Sequence, residues 1–120
     1  MINDKPIFIK IMDMIEDNIL SGVYKTDDII ISTTQISKLL SVNPTTSVKA
    51  VSNLANEGIL YKRRGIGMCV ANGARERILS QRKEVFLGET VPAFRDEAKK
   101  LGITADELIQ IIRGKSNGSL

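Results

Sequence analysis

The stretch from Asn43 to Gly58 constrains the fold most, because its sequence marks both ends of a helix. Asn43 is a good N-cap, since its side-chain oxygen can accept a backbone N–H of the first turn. Pro44 suits the first helical position, where its missing N–H costs nothing. Gly58 suits the position just past the end, where φ turns positive. The sequence therefore predicts a well-delimited helix between Asn43 and Gly58.

This predicted helix has two chemically different faces. At helical spacing the apolar residues fall together, which predicts a buried face made of Val48, Val51, Leu54 and Ala55. The opposite face begins with small polar residues and a cation: Thr45, Thr46, Ser47 and Lys49. The pattern indicates a helix that packs on one side and presents the other to a polar partner.

The residues before this helix predict a first helix over residues 6–21, which Pro6 opens and Gly22 ends. Its buried stripe is predicted at Ile7, Ile11, Met14, Ile15 and Ile19. Charged residues are expected mostly outside that stripe: Lys10, Asp13, Glu16 and Asp17. Three consecutive β-branched residues at 29–31 then predict a short strand.

A second short helix is predicted over residues 34–40, capped by Ser32 or Thr33. Its inward side chains are predicted to be Ile36, Leu39 and Leu40. A turn of about three residues, 41–43, leads directly into the capped helix. Two short helices joined in this way are typical of a helix-turn-helix.

A β-hairpin is predicted after Gly58, with strands at residues 59–62 and 68–71. Gly65 and Gly67, two residues apart, indicate the hairpin loop. Three consecutive cations lie next to that loop: Lys62, Arg63 and Arg64. A hairpin directly after a helix-turn-helix predicts the wing of a winged helix.

From Ala74 to about Leu101 the pattern is helical, after a hinge predicted at Asn72 and Gly73. Apolar residues step by four and three positions along a coiled-coil-like seam: Leu87, Val91, Phe94, Ala98 and Leu101. An offset stripe precedes it at Ala74, Ile78 and Val85. Pro92 predicts a kink or break, with Thr90 able to cap a restarted helix.

A last helix is predicted to start at a capping box formed by Thr104 and Glu107, after Gly102 ends the preceding helix. It is expected to run to about Arg113, with an apolar face of Leu108, Ile109, Ile111 and Ile112. Residues 114–120 are predicted to be a frayed tail.

Composition excludes several classes of function. The chain of 120 residues has a net charge of +3 and a pI of about 9.1, which permits nucleic-acid binding without demanding it. With no histidine and a single cysteine, Cys69, we expect no metal site, no cofactor, no histidine-based triad and no enzyme activity. The lone thiol fits a reducing cytoplasm, and the residues around Asp4 predict no signal peptide. No apolar run approaches the ~20 residues that span a membrane.

The chain resembles the GntR family of transcriptional regulators, and in particular its short YtrA-like branch. The resemblance is carried by the opening helix with Pro6, by the turn after Gly22, by residues 32–40, and by the run VNPTTSVKAVSNLANEGILYKRRGIGMCV from Val42 to Val70. Residues 74–113, including EAKKLGITADELI, resemble the two-helix dimerisation tail of that branch. Asp27 stands where the family commonly has glycine, and Thr34 stands where it usually has a DNA-contacting arginine.

The resemblance implies a mainly α fold with a small β-hairpin: a winged helix-turn-helix over residues 1–72 and an α-helical dimerisation tail over residues 73–120. It implies a homodimeric repressor on a palindromic double-stranded DNA operator, controlling a transporter operon through a small amphipathic effector. The expected DNA contacts are Ser32, Thr33, Thr34, Asn43, Thr45, Thr46, Ser47, Lys49, Lys62, Arg63, Arg64, Gly65 and Gly67. The expected dimer contacts are Leu87, Val91, Phe94, Ala98, Leu101, Leu108 and Ile112.

The same residues allow other interpretations. A winged-helix module that binds proteins instead of DNA remains the alternative function, and an enzyme comes third. Small polar residues at a helix start, or cations on a hairpin, are often merely solvated when they stand alone. The seam at 87–101 can cover the winged helix instead of joining two chains. Cys69 is either a strand residue that fills the core or a redox sensor.

Overall fold

A computed structural model shows the chain and describes residues 5–115. The prediction of no signal peptide concerns residues 1–4, and most of the predicted frayed tail, residues 116–120, lies likewise outside the described residues. The chain divides into two compact units, Met1–Ser80 and Gln81–Leu120. The boundary predicted after residue 72 stays a prediction, while the packing of the chain divides between residues 80 and 81.

The first unit opens with helix α1, Ile7–Leu20, and Pro6 stands at its N-cap. Ile11, Ile15 and Ile19 are buried as predicted, but Ile7 is exposed. Met12 and Glu16 are buried as well, so the prediction that Glu16 lies outside the stripe is wrong. The buried face is therefore wider than the isoleucine spacing alone indicates, because neighbouring elements cover α1 on more than one side.

Helices α2, Thr33–Leu40, and α3, Pro44–Asn56, form the helix-turn-helix. Ile36 is fully buried on α2, whereas Leu39 is 70% exposed and Leu40 is also exposed, so the inward placement of both leucines is wrong. The residue that shares the buried face with Ile36 is Ser37. The short α2 presents only its middle turn to α3, and the leucines at its end extend past that contact.

Strands β1, Leu60–Arg63, and β2, Gly67–Val70, form the predicted hairpin. They pair antiparallel, with Leu60 opposite Val70 and Arg63 opposite Gly67, so three residues remain for the loop. We call Leu60–Val70 the wing. α3 ends as predicted at Gly58, whose φ is 78°, and the Ile59 N–H donates to the Leu54 carbonyl at 2.9 Å.

The isoleucine run at 29–31 forms a single bridge, Ile29 to Cys69, instead of the predicted strand. Backbone hydrogen bonds also join Asp27, Asp28 and Ile30 to β2, so this segment lies along its free edge. Asp27 has a φ of 71° and Ser32 already caps α2. These two features leave too few extended residues for a longer ladder.

The start of helix α4, Ala74–Val85, belongs to the core of the first unit. Ala74 and Ile78 are buried among the side chains of α1, α3 and the wing, and Arg75 donates to the Leu20 carbonyl at the end of α1. Val85, the third member of the predicted stripe, is half exposed. The winged helix is thus completed by the first half of a helix that sequence alone assigns to the tail.

After α4 the chain forms one π-helical turn, Phe86–Thr90, and then α5, Val91–Lys100. The Val91 N–H donates to the Phe86 carbonyl, five residues earlier. Pro92 has no N–H for the Gly88 carbonyl, and the wider turn accommodates this loss without a break. Thr90 has helical dihedrals and caps nothing, so the predicted restart at Thr90 is wrong. Within residues 5–115, no helix combines the length and apolar character needed to cross a membrane.

Helix α6, Ala105–Ile112, starts at the predicted capping box. The Thr104 backbone N–H and hydroxyl donate to Glu107 Oε1 at 2.9 and 3.0 Å, and the Glu107 N–H donates back to Thr104 Oγ1 at 3.2 Å. These donors, the backbone N–H first, lower the pKa of the Glu107 carboxyl below its ordinary value. Gly102, with a φ of 75°, makes the turn from α5 to α6.

The capping box predicts an acid-sensitive start of α6. Because the pKa of Glu107 is lower in the folded chain, its contribution to stability is complete above the unfolded pKa and is lost as pH falls through the folded one. An NMR carboxyl titration is expected to show Glu107 titrating below the ordinary value for a glutamate. In Thr104→Val, which removes the hydroxyl, its pKa is expected to move part of the way back.

Asp106→Asn is the matched control, because it removes a neighbouring carboxylate outside the box. It is expected to leave the Glu107 midpoint close to that of the natural chain. An unshifted Glu107, or the same midpoint in Thr104→Val, contradicts the assignment.

Candidate nucleic-acid interface

The first turn of α3 is built as the sequence predicts. Asn43 Oδ1 accepts the Thr45 N–H at 2.8 Å, and Pro44 occupies the first turn. Thr45 and Lys49 are exposed, and Thr46 is partly exposed. The N-terminal end of α3 therefore presents hydroxyl groups and an ammonium group to the surroundings.

The buried face of α3 is rotated by one residue from the predicted one. Ser47 is 0% exposed, whereas Val48 is 49% exposed, so the assignment of Ser47 to the DNA-facing surface is wrong. The buried residues follow helical spacing: Ser47, Ala50, Val51 and Leu54. Val48 takes the place of Ser47 on the outer face.

A hydrogen bond explains why a serine is buried at this position. Ser47 Oγ lies 2.8 Å from Ser37 Oγ on α2, and both side chains are buried. Each hydroxyl can donate to the other, so neither is left without a partner in the core. Two small side chains also allow α2 and α3 to approach closely. In the sequence, the only sign of this hydrogen bond is that each of the two helices has one serine at a core position.

The N-terminus of α2 holds three of the predicted contact residues. Ser32 accepts the Gln35 N–H at 3.1 Å and donates its own N–H to Gln35 Oε1 at 2.9 Å, which forms a complete capping box. Thr33 is partly exposed, and Thr34 is exposed in the first turn. Ser32 thus has a structural role, whereas within residues 5–115 the hydroxyls of Thr33 and Thr34 form no hydrogen bond with the protein.

The wing carries the predicted cations on its exposed tip. Lys62 and Arg63 lie at the end of β1, and Arg64 is the first residue of the loop. Gly65 and Gly67 have φ values of 76° and 139°, which L residues with side chains rarely adopt. All three cations are exposed, and among residues 5–115 none of them forms an ion pair with a carboxylate.

A side-chain hydrogen bond holds the base of the wing. The Tyr61 hydroxyl on β1 donates to Asp27 Oδ1 at 2.6 Å, and this bond raises the pKa of Tyr61 above its ordinary value. Asp27 has a φ of 71°, and its carboxylate has this partner on the wing. Cys69, opposite Tyr61 in the hairpin, is fully buried in β2.

The predicted seam of the tail is largely uncovered in a single chain. The exposed members are Leu87, Val91, Phe94, Leu101 and Ile112, while Leu108 is partly exposed. Ala98 is 5% exposed, so it packs inside its own chain and its assignment as a dimer contact is wrong. A helical face this apolar is unusual for surface that stays in contact with water.

Known proteins resemble the chain along almost its whole length. A structure assigned to the GntR family of transcriptional regulators, from Bacteroides thetaiotaomicron, is 35% identical with a TM-score of 0.74, covering 91% of this chain and 95% of that one. The regulator YhcF of Bacillus subtilis is 28% identical over 97% of this chain and 94% of its own length. The repressor YtrA of Bacillus subtilis is 25% identical over 90% and 82%. No protein-family model matches the chain.

The chain belongs to the GntR family. It is a YtrA-like, DNA-binding transcriptional regulator of the helix-turn-helix type. The winged helix described above is the part of this GntR-family chain that carries the candidate interface. The first turn of α2, which opens with Thr33 and Thr34, carries no positive charge.

The buried serine pair generates a stability prediction. Ser47→Ala leaves the Ser37 hydroxyl buried without a partner, so the free energy of unfolding is expected to fall by about 1–3 kcal/mol. The double variant Ser37→Ala/Ser47→Ala removes both hydroxyls and is expected to cost less than the sum of the single variants. Urea unfolding of the four proteins measures this coupling.

Ser52→Ala is the matched control, because Ser52 is an exposed serine on the same helix. It is expected to change the free energy of unfolding by no more than about 0.5 kcal/mol. Additive costs in the double variant contradict a bond between the two hydroxyls.

Proposed function

We propose that this chain is a transcriptional repressor that binds a palindromic DNA operator as a homodimer. The observation that carries the proposal is the composition of two exposed surfaces in the first unit. The first turns of α3 expose Thr45 and Lys49, and the wing tip exposes three adjacent cations. A helix that reads bases beside a hairpin that neutralises phosphates is the arrangement by which winged helices bind duplex DNA.

α3 supplies the base contacts. The Thr45 and Thr46 hydroxyls can both donate to and accept from base edges in the major groove. Val48 replaces Ser47 in this role, because its exposed methyl groups suit the C5-methyl group of thymine. The site is therefore predicted to favour A·T pairs where Val48 approaches, and Lys49 contacts a phosphate or a guanine.

The remaining residues position the protein on the backbone. The Asn43 amide nitrogen is free to donate, since only its oxygen serves the cap. The hydroxyl groups of Ser32, Thr33 and Thr34 lie at the start of α2, where helix amides also favour phosphate. Lys62, Arg63 and Arg64 follow the backbone or enter the minor groove, while Gly65 and Gly67 keep the tip narrow enough to approach it.

The tail joins two chains, so that the dimer has two copies of the DNA interface. Its exposed apolar face spans α5 and α6 and would bury most of its area against the same face of another chain. A two-fold dimer presents two α3 helices to half-sites about one helical turn of DNA apart, which is why the operator is expected to be palindromic. Two weak half-site interactions then act together.

Repression is proposed because the Bacillus subtilis relative YtrA is named a helix-turn-helix-type transcriptional repressor. We further propose that a small amphipathic effector releases the DNA and that the regulated genes encode a transporter. A groove of about 400 Å³ between α5 and α6 suits such a molecule, because its lining combines apolar side chains with the cations Arg95 and Lys99. A ligand that leaves operator affinity unchanged argues against this part of the proposal.

The wing cations predict the salt dependence of DNA binding. The double variant Arg63→Ala/Arg64→Ala is expected to weaken binding to the duplex upstream of the chain's own gene. It should flatten the slope of log affinity against log salt by about two units, one for each lost phosphate contact. Fluorescence anisotropy between about 50 and 200 mM salt measures both effects.

The matched control is Arg113→Ala/Lys115→Ala, which removes the same charge from exposed positions in the tail. Its salt slope is expected to equal that of the natural chain. Equal slopes in all three proteins would remove the wing from the interface. A natural chain that fails to shift this duplex would favour the protein-binding alternative.

The exposed seam predicts the oligomeric state. Phe94, at the middle of the seam, is 52% exposed in one chain, so Phe94→Asp would place a charge in the dimer interface. Sedimentation is expected to show a dimer for the natural chain and a monomer for this variant. Ala93→Asp adds the same charge about 100° around α5 from Phe94, at an exposed position outside the seam, and should remain dimeric. A dimeric Phe94→Asp protein would place the interface elsewhere.

A further inference from the structure

One contact between α1 and α3 joins a predicted DNA contact, Lys49, to a residue that the predicted interface does not include, Phe8. Lys49 Nζ lies 4.1 Å from the centroid of the Phe8 ring. A cation within about 6 Å of a ring centroid is attracted to the negative face of the ring, and here the distance is well inside that limit. Helical spacing places Phe8 on the same face as Ile11 and Ile15, so the residue pattern of α1 predicts only a packing role for it.

The surroundings of the two side chains differ. Phe8 is partly buried and packs against the core of the first unit, so its ring has a defined position. Lys49 is exposed, and without the ring its four-carbon stem would be free to rotate in water. The contact therefore places a mobile ammonium group against a fixed surface.

The contact also leaves the Lys49 ammonium group able to bind a phosphate. An ammonium group has three N–H donors, and a ring on one side leaves donors on the other for a phosphate oxygen. A lysine that must be immobilised on binding loses rotamer entropy, and a lysine that is already confined loses less. The ring thus makes binding through Lys49 less costly without contacting the nucleic acid.

We propose that Phe8 is a positioning residue for DNA binding, which holds the Lys49 ammonium in place for a backbone phosphate. This inference rests on the proposed function, because it assigns Lys49 to the interface. It adds a residue of α1, which does not belong to the helix-turn-helix or the wing, to the determinants of affinity. Phe8 acts only through Lys49, so its effect on binding must disappear when Lys49 is absent.

The test is a double-mutant cycle on DNA binding with the full chain and the duplex upstream of its own gene. Phe8→Leu, which keeps apolar bulk for the core, is expected to weaken binding about threefold with an unchanged salt slope, since no charge is lost. Lys49→Ala is expected to weaken binding about tenfold and to flatten the slope by about one unit. Phe8→Leu added to Lys49→Ala is expected to have no further effect.

Two further variants separate positioning from folding. Phe8→Tyr keeps an aromatic face and is expected to restore natural affinity. Ile7→Ala changes the neighbouring exposed residue of α1 and should bind like the natural chain. An NMR spectrum supplies a readout independent of DNA, because the ring current of Phe8 shifts the Lys49 ε-methylene protons and Phe8→Leu abolishes that shift.

The outcomes distinguish this inference from the function on which it rests. A natural chain that does not bind the duplex overturns the proposed function and the role of Phe8 together. If Phe8→Leu weakens binding as much in the Lys49→Ala chain as in the natural chain, the positioning role alone is overturned. Unchanged binding in Phe8→Leu, beside a weakened Lys49→Ala, also overturns it.

Discussion

The close approach of α2 and α3 determines which residues this protein can present to a partner. Ser37 Oγ and Ser47 Oγ lie 2.8 Å apart between the two helices, and both side chains are buried. Large side chains at these two positions would separate the helices. The hydroxyl pair therefore sets the rotation of α3 about its own axis. Thr45, Val48 and Lys49 face outward as a direct result.

Local signals in the sequence predicted the elements of the fold well. The Asn43 cap, the turn at Gly58 and the Thr104–Glu107 capping box were confirmed, because each depends on a few neighbouring residues and their backbone. The hairpin was confirmed for the same reason. Features of this kind require no knowledge of what lies across the core.

The rotation of α3 was predicted wrongly, because hydropathy ranks valine above serine for burial. The residues 48, 51 and 55 satisfy helical spacing about as well as 47, 50 and 54, so spacing alone cannot choose between them. The buried hydroxyl of Ser47 is acceptable only because Ser37 is opposite, and pairs of this kind are not visible along one helix. The burial of Leu39 was predicted wrongly for a related reason. Which residues of the short α2 are covered depends on the helix packed against it, and the sequence of α2 alone does not show this. The contact between Phe8 and Lys49 was missed because it joins residues 41 positions apart.

The π-helical turn at Phe86–Thr90 has a consequence for how the chain can change in length. Such a turn holds one more residue than the α-helical path would, and in an α-helix each residue advances the face by about 100°. Loss of one residue from Phe86–Thr90 would convert the wide turn to regular α-helix without rotating the residues that follow, because the wide turn absorbs its extra residue. Loss of one residue within α5 would instead rotate every side chain that follows in that helix by about 100°. A change in length by one residue is therefore expected to disturb the apolar face of the tail less in this turn than in α5.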